Sequence, residues 1–329
     1  MTRVNQALTA RWMVPVYALI LLALPWIVQG KYGRDLLVLA LMFASLATGL
    51  NLTMGYVGYL PFGYLIFFAI GAYTSALLSV NLGVTFWLGL PMAGVIAGIF
   101  AVLVGIPSLR LRGPYFAIMT LAFAEIGTLV LYNWTDLTRG PMGVSGIPHP
   151  RVPLPGGGEF TFNTEVSWYY LMLGMLVLFL FVVYRLIHSR TGDAFAAIRG
   201  HEDLAESVGI PTFRYKMLAF ILSAVIAGIV GGAYAHYYTV ITPELSGFYF
   251  LTTTFTMVLI GGQGTLAGPV LGAIVFTILP ELLRAVQLWR MVIFGALMLA
   301  GMVFMPQGIH GLLAPLLART KRSAAHEHS

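Results

Sequence analysis

The chain has 329 residues, of which 59% are hydrophobic and only 9% are charged. Soluble domains carry about 25% charged residues and about 45–50% apolar ones. The composition therefore excludes a water-soluble enzyme, and it excludes a disordered chain, which would lack the apolar residues. The net charge of +6 is typical of cytoplasmic loops rich in Lys and Arg. No soluble segment carries the basic stripe of a nucleic-acid interface.

About ten apolar segments predict an all-α polytopic membrane protein. The first segment is interpreted as a retained helix rather than a secretory signal, because no small-x-small cleavage site follows it. With ten spans both termini lie on one side, and 12 of the 18 basic residues then fall on the inner side. This bias predicts cytoplasmic N- and C-termini. The segments are 12–29, 36–54, 62–80, 86–106, 115–133, 167–187, 215–238, 249–260, 269–283 and 289–305.

Three further features divide the chain. The spans predict a transmembrane domain over residues 1–318, followed by a polar cytoplasmic tail at 319–329. The longest outer loop, 134–166, is rich in Gly and Pro, so turns are expected in it rather than a continuous helix. It is either a solvated periplasmic connector or a docking surface. Residues 249–260 are short for a span, which needs about 20 residues.

Two segments combine apolar residues with Gly and Pro in a way that interrupts a helix. They are 51–73 and 255–278. Paired interruptions of this kind indicate a substrate path at a repeat interface, because irregular backbone within a membrane must be buried in protein or line a cavity. Close helix packing through small residues is the alternative. The candidate pathway residues are Gly55, Gly58, Pro61, Gly262, Gly264 and Gly268.

Two ionisable residues fall within or beside the spans. Glu125 lies near the middle of the fifth apolar segment, at a depth where charged side chains are rare. It either lines the path or forms a structural helix–helix contact. His236 stands in a run of tyrosines that is typical of an interfacial aromatic belt.

Catalytic and cofactor motifs are absent from the sequence. The chain has no Gly-x-x-x-x-Gly-Lys-Ser/Thr loop, no His-Glu-x-x-His and no Gly-x-Ser-x-Gly, which are the motifs of nucleotide binding, zinc hydrolysis and serine catalysis. It also has no cysteine. No catalytic residue, metal site or cofactor is therefore expected, and ATP hydrolysis would have to come from another chain.

The inner loop at 189–211 predicts a short amphipathic helix on the cytoplasmic face. Asp193 is a candidate N-cap, and Gly209 with Pro211 forms a stop signal. A helix lying on anionic lipid needs a basic polar face. This face instead carries Glu202, Asp203 and Glu206, so we expect it to contact a protein partner.

This loop resembles the cytoplasmic coupling segment of LivM-type permeases, which belong to branched-chain amino acid ABC transporters. Gly192, Ala197, Ile198 and Arg199 match the start of the family pattern, and Ala205, Glu206 and Gly209 match its end. Gly200 and His201 depart from the pattern in the middle. Further matches are Gly55–Gly58 with Phe67–Tyr73, Leu111–Glu125, Gly140–Ile147 and Gly261–Ala273.

The resemblance implies one half of a heterodimeric pore in the bacterial inner membrane, paired with a LivH-type permease. Two cytoplasmic ATPases would contact the coupling segment, including Glu202. A periplasmic binding protein would deliver branched-chain amino acids or related small solutes. A self-sufficient secondary transporter or facilitator is the alternative, but it needs a coupling-ion site, for which the spans offer little beyond Glu125.

Overall fold

The computed structural model describes residues 21–28, 30–153, 159–282 and residue 295. Seven helical segments in this part of the chain are long and apolar enough to cross a membrane. The protein is therefore an all-α polytopic membrane protein, as the sequence predicts. The helices are α1 (Lys31–Asn51), α2 (Tyr64–Leu82), α3 (Phe86–Ser108), α4 (Pro114–Asn133), α5 (Thr135–Thr138), α6 (Glu165–Ile187), α7 (Arg190–Gly200), α8 (Glu202–Ser207), α9 (Thr212–Tyr238), α10 (Phe248–Gly262) and α11 (Gly268–Leu282).

The expected segments match these helices where they can be compared. Six of them, from 36–54 to 215–238, correspond to α1, α2, α3, α4, α6 and α9. The segment 249–260 is part of a longer candidate span of 20 residues, Pro243–Gly262, which consists of a 3₁₀ turn at Pro243–Ser246 followed by α10. The segment 269–283 corresponds to the shorter helix α11, Gly268–Leu282, and residue 283 lies outside the described residues. Most of 12–29, all of 289–305 except residue 295, and the tail 319–329 lie outside the described residues.

Helix α9 is the centre of the bundle and packs most extensively against α2 and α3. Glycines make this approach close. A side chain at Gly71 would overlap the backbone of Gly228, and one at Gly231 would overlap the carbonyl oxygen of Phe68. A Cβ atom at Gly228 would lie 2.5 Å from the Cβ of Ala97. Membrane helices associate through small residues in this way because lipid supplies little hydrophobic drive between them.

The loop at 134–166 is folded rather than extended. It contains α5, a 3₁₀ turn at Gly140–Met142, and the short strands β1 (Val144–Ser145), β2 (Arg151–Pro153) and β3 (Glu159–Thr161). Strands β2 and β3 pair antiparallel. Strand β1 pairs antiparallel with β4 (Val240–Ile241), directly after α9, so the loop is fastened to one end of the bundle.

His236 strengthens that attachment and does not belong to an exposed aromatic belt. Its side chain is fully buried. One ring nitrogen lies 2.6 Å from the carbonyl oxygen of Pro148 in the loop, and the other lies 3.0 Å from Oγ of Ser75 on α2. The sequence context of His236 resembled a membrane interface, but the neighbouring loop folds over it.

The glycine packing gives a stability prediction. Gly228→Val should lower the free energy of unfolding by about 1–3 kcal/mol or more, since overpacking a tight interface forces helices apart. Gly174→Val on α6 is the matched control, because a side chain there would meet nothing within 4 Å. Thermal unfolding in detergent, followed by fluorescence-detected size-exclusion chromatography, measures both. Equal midpoints would contradict the packing argument.

Candidate functional site

The inner loop at 189–211 folds as two helices, not as the single helix expected. Ser189 caps α7, and its hydroxyl accepts a hydrogen bond from the N–H of Thr191 at 3.3 Å. Asp193 lies in the first turn of that helix, so its expected role as the cap is wrong. His201 has extended backbone between α7 and α8. The interruption falls at Gly200 and His201, where the sequence departs from the family pattern.

A buried ion pair fastens α8 to the bundle. Lys216 on α9 is only 4% exposed, and its ammonium group lies 2.5 Å from Oε1 of Glu202. It also donates hydrogen bonds of 3.2 Å to the hydroxyl of Tyr59 and to the carbonyl oxygen of Leu109. The Tyr59 hydroxyl in turn donates to the Glu202 carboxylate. We call Tyr59, Glu202 and Lys216 the lysine cluster.

The lysine cluster joins four elements at one point. Leu109 ends α3, Tyr59 belongs to the break between α1 and α2, Glu202 begins α8 and Lys216 lies on α9. Burial opposes ionisation of Glu202, but hydrogen bonds from Lys216 and Tyr59 outweigh it and lower the pKa of that carboxyl group. Burial and the Glu202 carboxylate raise the pKa of Tyr59. The cluster therefore contains an ionised Glu202 carboxylate that accepts a hydrogen bond from the neutral Tyr59 hydroxyl.

The other two acidic residues of α8 face an arginine of the same chain. Arg112 donates to the carboxylate of Asp203, and its guanidinium lies 3.5 Å from Oε2 of Glu206. The sequence predicts that this acidic face contacts a partner. In the structure its carboxylates pair instead with Arg112 and Lys216 of the same chain. Glu202 points into the protein, while Asp203 and Glu206 remain solvent-accessible.

The remaining coupling residues divide into buried and exposed sets. Ile198 and Ala205 are buried, and Ala197 is partly buried. Gly192 lies so close to the carbonyl oxygen of Ile187 that a side chain would overlap it. Gly209 has a φ of +88° after α8, in the left-handed region that favours glycine. Exposed apolar side chains on this surface are Leu204 (63% exposed) and Val208 (76% exposed).

The two Gly/Pro-interrupted segments meet each other in the structure. A π-helical turn (Leu52–Val57) extends α1 and ends at Gly58, and the second break separates α10 from α11. Asn51 bridges them: its amide donates to the carbonyl oxygen of Thr265 at 2.8 Å, and its Oδ1 accepts from the N–H of Gly264 at 2.9 Å. A side chain at Gly55 would overlap Asn51 and Gly264.

Arg199 of α7 lies against both breaks. A Cβ atom at Gly58 would be 3.2 Å from Cγ of Arg199, and one at Gly264 would overlap its guanidinium group. Gly58 and Gly264 both have positive φ values, +88° and +73°, so glycine is required by conformation as well as by space. The coupling segment and the two breaks thus form one continuous site.

Three other candidate residues lie beside this site. Pro61, Gly262 and Gly268 are buried, and Gly268 packs against the backbone of Gly262. The first break follows a helical span of 27 residues, Lys31–Val57, whose length of about 40 Å exceeds the 30 Å membrane core. The first break therefore lies between two candidate spans, Lys31–Val57 and Tyr64–Leu82, and its role in a substrate path stays a prediction.

Glu125 is not brought to the breaks. It is the twelfth residue of the 20-residue helix α4, and its side chain is exposed on the surface of this chain. Only 28% of the α4 span is buried. Glu125 has no side-chain partner among the described residues, so its role as a path-lining carboxylate or as a structural helix–helix contact stays a prediction.

Sequence reasoning missed the residues that organise the site, namely Asn51, Tyr59, Arg112 and Lys216. Lys216 carried a usable signal, since a lysine in an apolar helix is rare and pairs with an acidic group when buried. Asn51 is likewise a polar residue at the end of an apolar run. The sequence assigns no role to Tyr59, whose hydroxyl donates a hydrogen bond to Glu202.

Comparison with known proteins agrees with this architecture. Residues 34–302 match the family model described as branched-chain amino acid transport system / permease component. The chain is 36% identical to the high-affinity branched-chain amino acid transport system permease protein LivM of Escherichia coli K12, over 96% of this chain and 79% of that protein. It is 34% identical to LivM of Salmonella typhimurium LT2, over 98% and 80% of the two chains.

A second type of relative is also similar over most of the chain. The permease protein LivH of Escherichia coli K12 is 27% identical over 82% of this chain and 91% of its own length. Both LivM and LivH relatives imply a permease that is paired within a transport system. No solved structure matches the chain.

The fold and these matches together show that the protein is a multi-pass membrane transport component and not an enzyme. The chain belongs to the family of branched-chain amino acid transport system permease components. The resemblance stated from the sequence motifs is confirmed.

The lysine cluster gives the second prediction. Glu202→Gln should destabilise the protein by about 3–5 kcal/mol, because it leaves the Lys216 charge buried without a counter-charge. Asp203→Asn is the matched control; its exposed pair with Arg112 should contribute about 0–1 kcal/mol.

The double variant Glu202→Gln with Lys216→Met should recover most of the loss, since the unpaired charge is gone. Thermal unfolding in detergent measures all three variants. A Glu202→Gln midpoint equal to that of Asp203→Asn would show that the ion pair is not a structural requirement.

Proposed function

We propose that the chain is one permease subunit of an ABC importer in the bacterial inner membrane, and that it moves branched-chain amino acids or related small solutes. Its residues 1–318 form the transmembrane domain, and both termini lie in the cytoplasm. A LivH-type permease completes the pore, two cytoplasmic ATPases drive it, and a periplasmic binding protein delivers the substrate. The observation that carries the proposal is the attachment of α8 to the helix ends through the lysine cluster, together with the contact of Arg199 on α7 with both breaks.

The α7–α8 pair has the properties of a docking platform. It projects Leu204 and Val208 outward, with exposures of 63% and 76%, while its opposite side is held by a buried ion pair. Exposed apolar side chains ringed by polar groups are typical of a protein interface. The chain has no phosphate-binding loop of its own, so the fitting occupant is an ATPase subunit.

The attachment can transmit a movement of the platform to the pore. The lysine cluster ties α8 to α9 and to the first break, and Arg199 lies between the two breaks. Displacement of the platform would therefore move both breaks together. Alternating access requires two packings whose balance a partner can bias, and the glycine-rich breaks are the proposed moving parts of the path.

Helix α4 supports a second permease as a partner. Glu125 lies at mid-span on an exposed face, and a charged group facing lipid at that depth costs at least about 2.5 kcal/mol. With Glu125, the exposed residues Ile118, Ala122 and Leu129 form a row spaced four, three and four residues apart, as in a helix-packing stripe. We propose that a LivH-type permease covers this stripe and gives Glu125 a polar partner.

The test is co-purification of the tagged chain from gently solubilised native membranes. Recovery of a second permease and two ATPases with Walker motifs is expected. Recovery of the chain alone, still able to take up substrate when reconstituted, would overturn the proposal and favour the self-sufficient transporter or facilitator.

The third prediction concerns the docking platform. Leu204→Glu should reduce uptake at least tenfold while leaving the unfolding midpoint unchanged, because the side chain is exposed and serves only the partner. Leu204→Met is the matched control and should retain uptake within twofold. ATPase recovery in the co-purification and leucine uptake by cells measure the effect. Normal uptake with Leu204→Glu would remove the case for docking at α8.

A further inference from the structure

A cavity of about 490 Å³ opens at the end of the bundle opposite the coupling segment. It lies where α1 and α6 begin and where α9 ends, whereas the lysine cluster lies at the other ends of these helices. Under the proposed topology this is the periplasmic face. The volume lies within the range of small-molecule sites.

Charged groups of both signs line the cavity. Lys31 and Glu165 face each other with 3.6 Å between Nζ and Oε1, longer than a direct hydrogen bond of about 3 Å. The Asp35 carboxylate accepts a hydrogen bond from Tyr237 and keeps further acceptor capacity, since an ionised carboxylate has about four lone-pair sites.

Two buried polar atoms at the cavity find no hydrogen-bond partner among the described residues. They are Nε1 of Trp168 and Nδ1 of His149, and both residues line the cavity. Trp168 is only 1% exposed, and the indole N–H is a donor only. Each of these atoms has less than 1 Å² of accessible surface, so both lie behind the cavity wall and out of reach of a ligand in the cavity.

The remaining wall combines polar side chains (Asn163, Thr164 and Thr239) with aromatic and aliphatic ones. Tyr238 contributes a ring, and Leu36 and Leu39 contribute an apolar patch from α1. An aromatic ring attracts an ammonium group. The aliphatic patch fits an apolar side chain.

This combination selects the chemical class of the ligand. A simple cation would be repelled by Lys31. A simple anion would be repelled by Asp35 and Glu165. A zwitterion satisfies both sets, with its carboxylate near Lys31 and its ammonium near the two acidic side chains.

The geometry points to a binding site in this outer cavity for a free α-amino acid with an aliphatic side chain. The site lies within this chain alone, about 30 Å along α1 from the breaks. The inference rests on the proposed function for its substrate class. It adds a site in the permease itself, at the mouth through which substrate would arrive. Such a site would let the permease select among substrates after the binding protein has released them.

The experiment measures binding and uptake separately. The transporter, purified with its co-purifying permease and ATPases but without the binding protein, is placed in lipid nanodiscs and titrated with radiolabelled leucine. Saturable binding is expected. A 100-fold excess of 4-methylpentanoate, which lacks the ammonium group, or of 3-methylbutylamine, which lacks the carboxylate, should displace less than half of the leucine.

Variants assign the binding to this cavity. Asp35→Asn should weaken leucine binding at least tenfold, and Lys31→Gln, which removes the charge that would face the carboxylate, should weaken it about fivefold. Asp136→Asn is the matched control; this carboxylate is exposed in the outer loop, outside the cavity, and binding should stay within twofold. Each variant is compared only if it elutes as the wild-type complex does in size-exclusion chromatography.

The outcomes separate the two proposals. Absence of saturable leucine binding, or leucine affinity unchanged in both cavity variants, would overturn the cavity site. Leucine uptake by the complete transporter in proteoliposomes would leave the proposed function standing in that case. Absence of uptake despite binding that Asp35→Asn weakens would contradict the proposed transport role and support the cavity site.

Discussion

The fold depends on the neutralisation of one buried charge, the ammonium group of Lys216. A charge in a membrane protein interior must be paired and hydrogen-bonded, because desolvation costs several kcal/mol per ion. Glu202, Tyr59 and the end of α3 supply that environment together. To satisfy a single side chain, the cytoplasmic segment must lie against the first break and the central helix in one arrangement.

That arrangement gives the molecule two functional ends joined by stiff helices. Helix α9 carries Lys216 near one end and Tyr237 near the other, about 30 Å apart at 1.5 Å per residue. Its glycines pack it directly against α2 and α3, which leaves little freedom to bend. In the proposed mechanism, a displacement at the docking platform would therefore reach the outer cavity as a movement of whole helices.

Sequence reasoning succeeded where chemistry is local and failed where it depends on neighbours. The apolar segments predicted α1, α2, α3, α4, α6 and α9, because a membrane span needs about 20 apolar residues whatever it packs against. The same reasoning assigned His236 to an interface and Glu202 to a partner. Both side chains are instead directed inward, by a loop that folds back over α9 and by a lysine fourteen residues away.

The two interrupted segments illustrate both what the sequence predicts and what depends on tertiary packing. Glycine and proline content correctly predicted that 51–73 and 255–278 are interrupted, since proline and left-handed glycine stop a helix. Their mutual contact through Asn51, and the position of Arg199 between them, join residues more than 200 positions apart. Such contacts are set by packing and leave no periodic signal in the chain.

The sequence by itself determined the membrane class, the positions of most spans, the two interruptions and the family, because hydropathy and short motifs are properties of consecutive residues. The tertiary structure alone decided which charges are paired inside the protein, which apolar side chains in and after α8 remain for a partner, and where side chains of opposite charge line a cavity. These features depend on the distances between helices, which are fixed only when the glycine interfaces close.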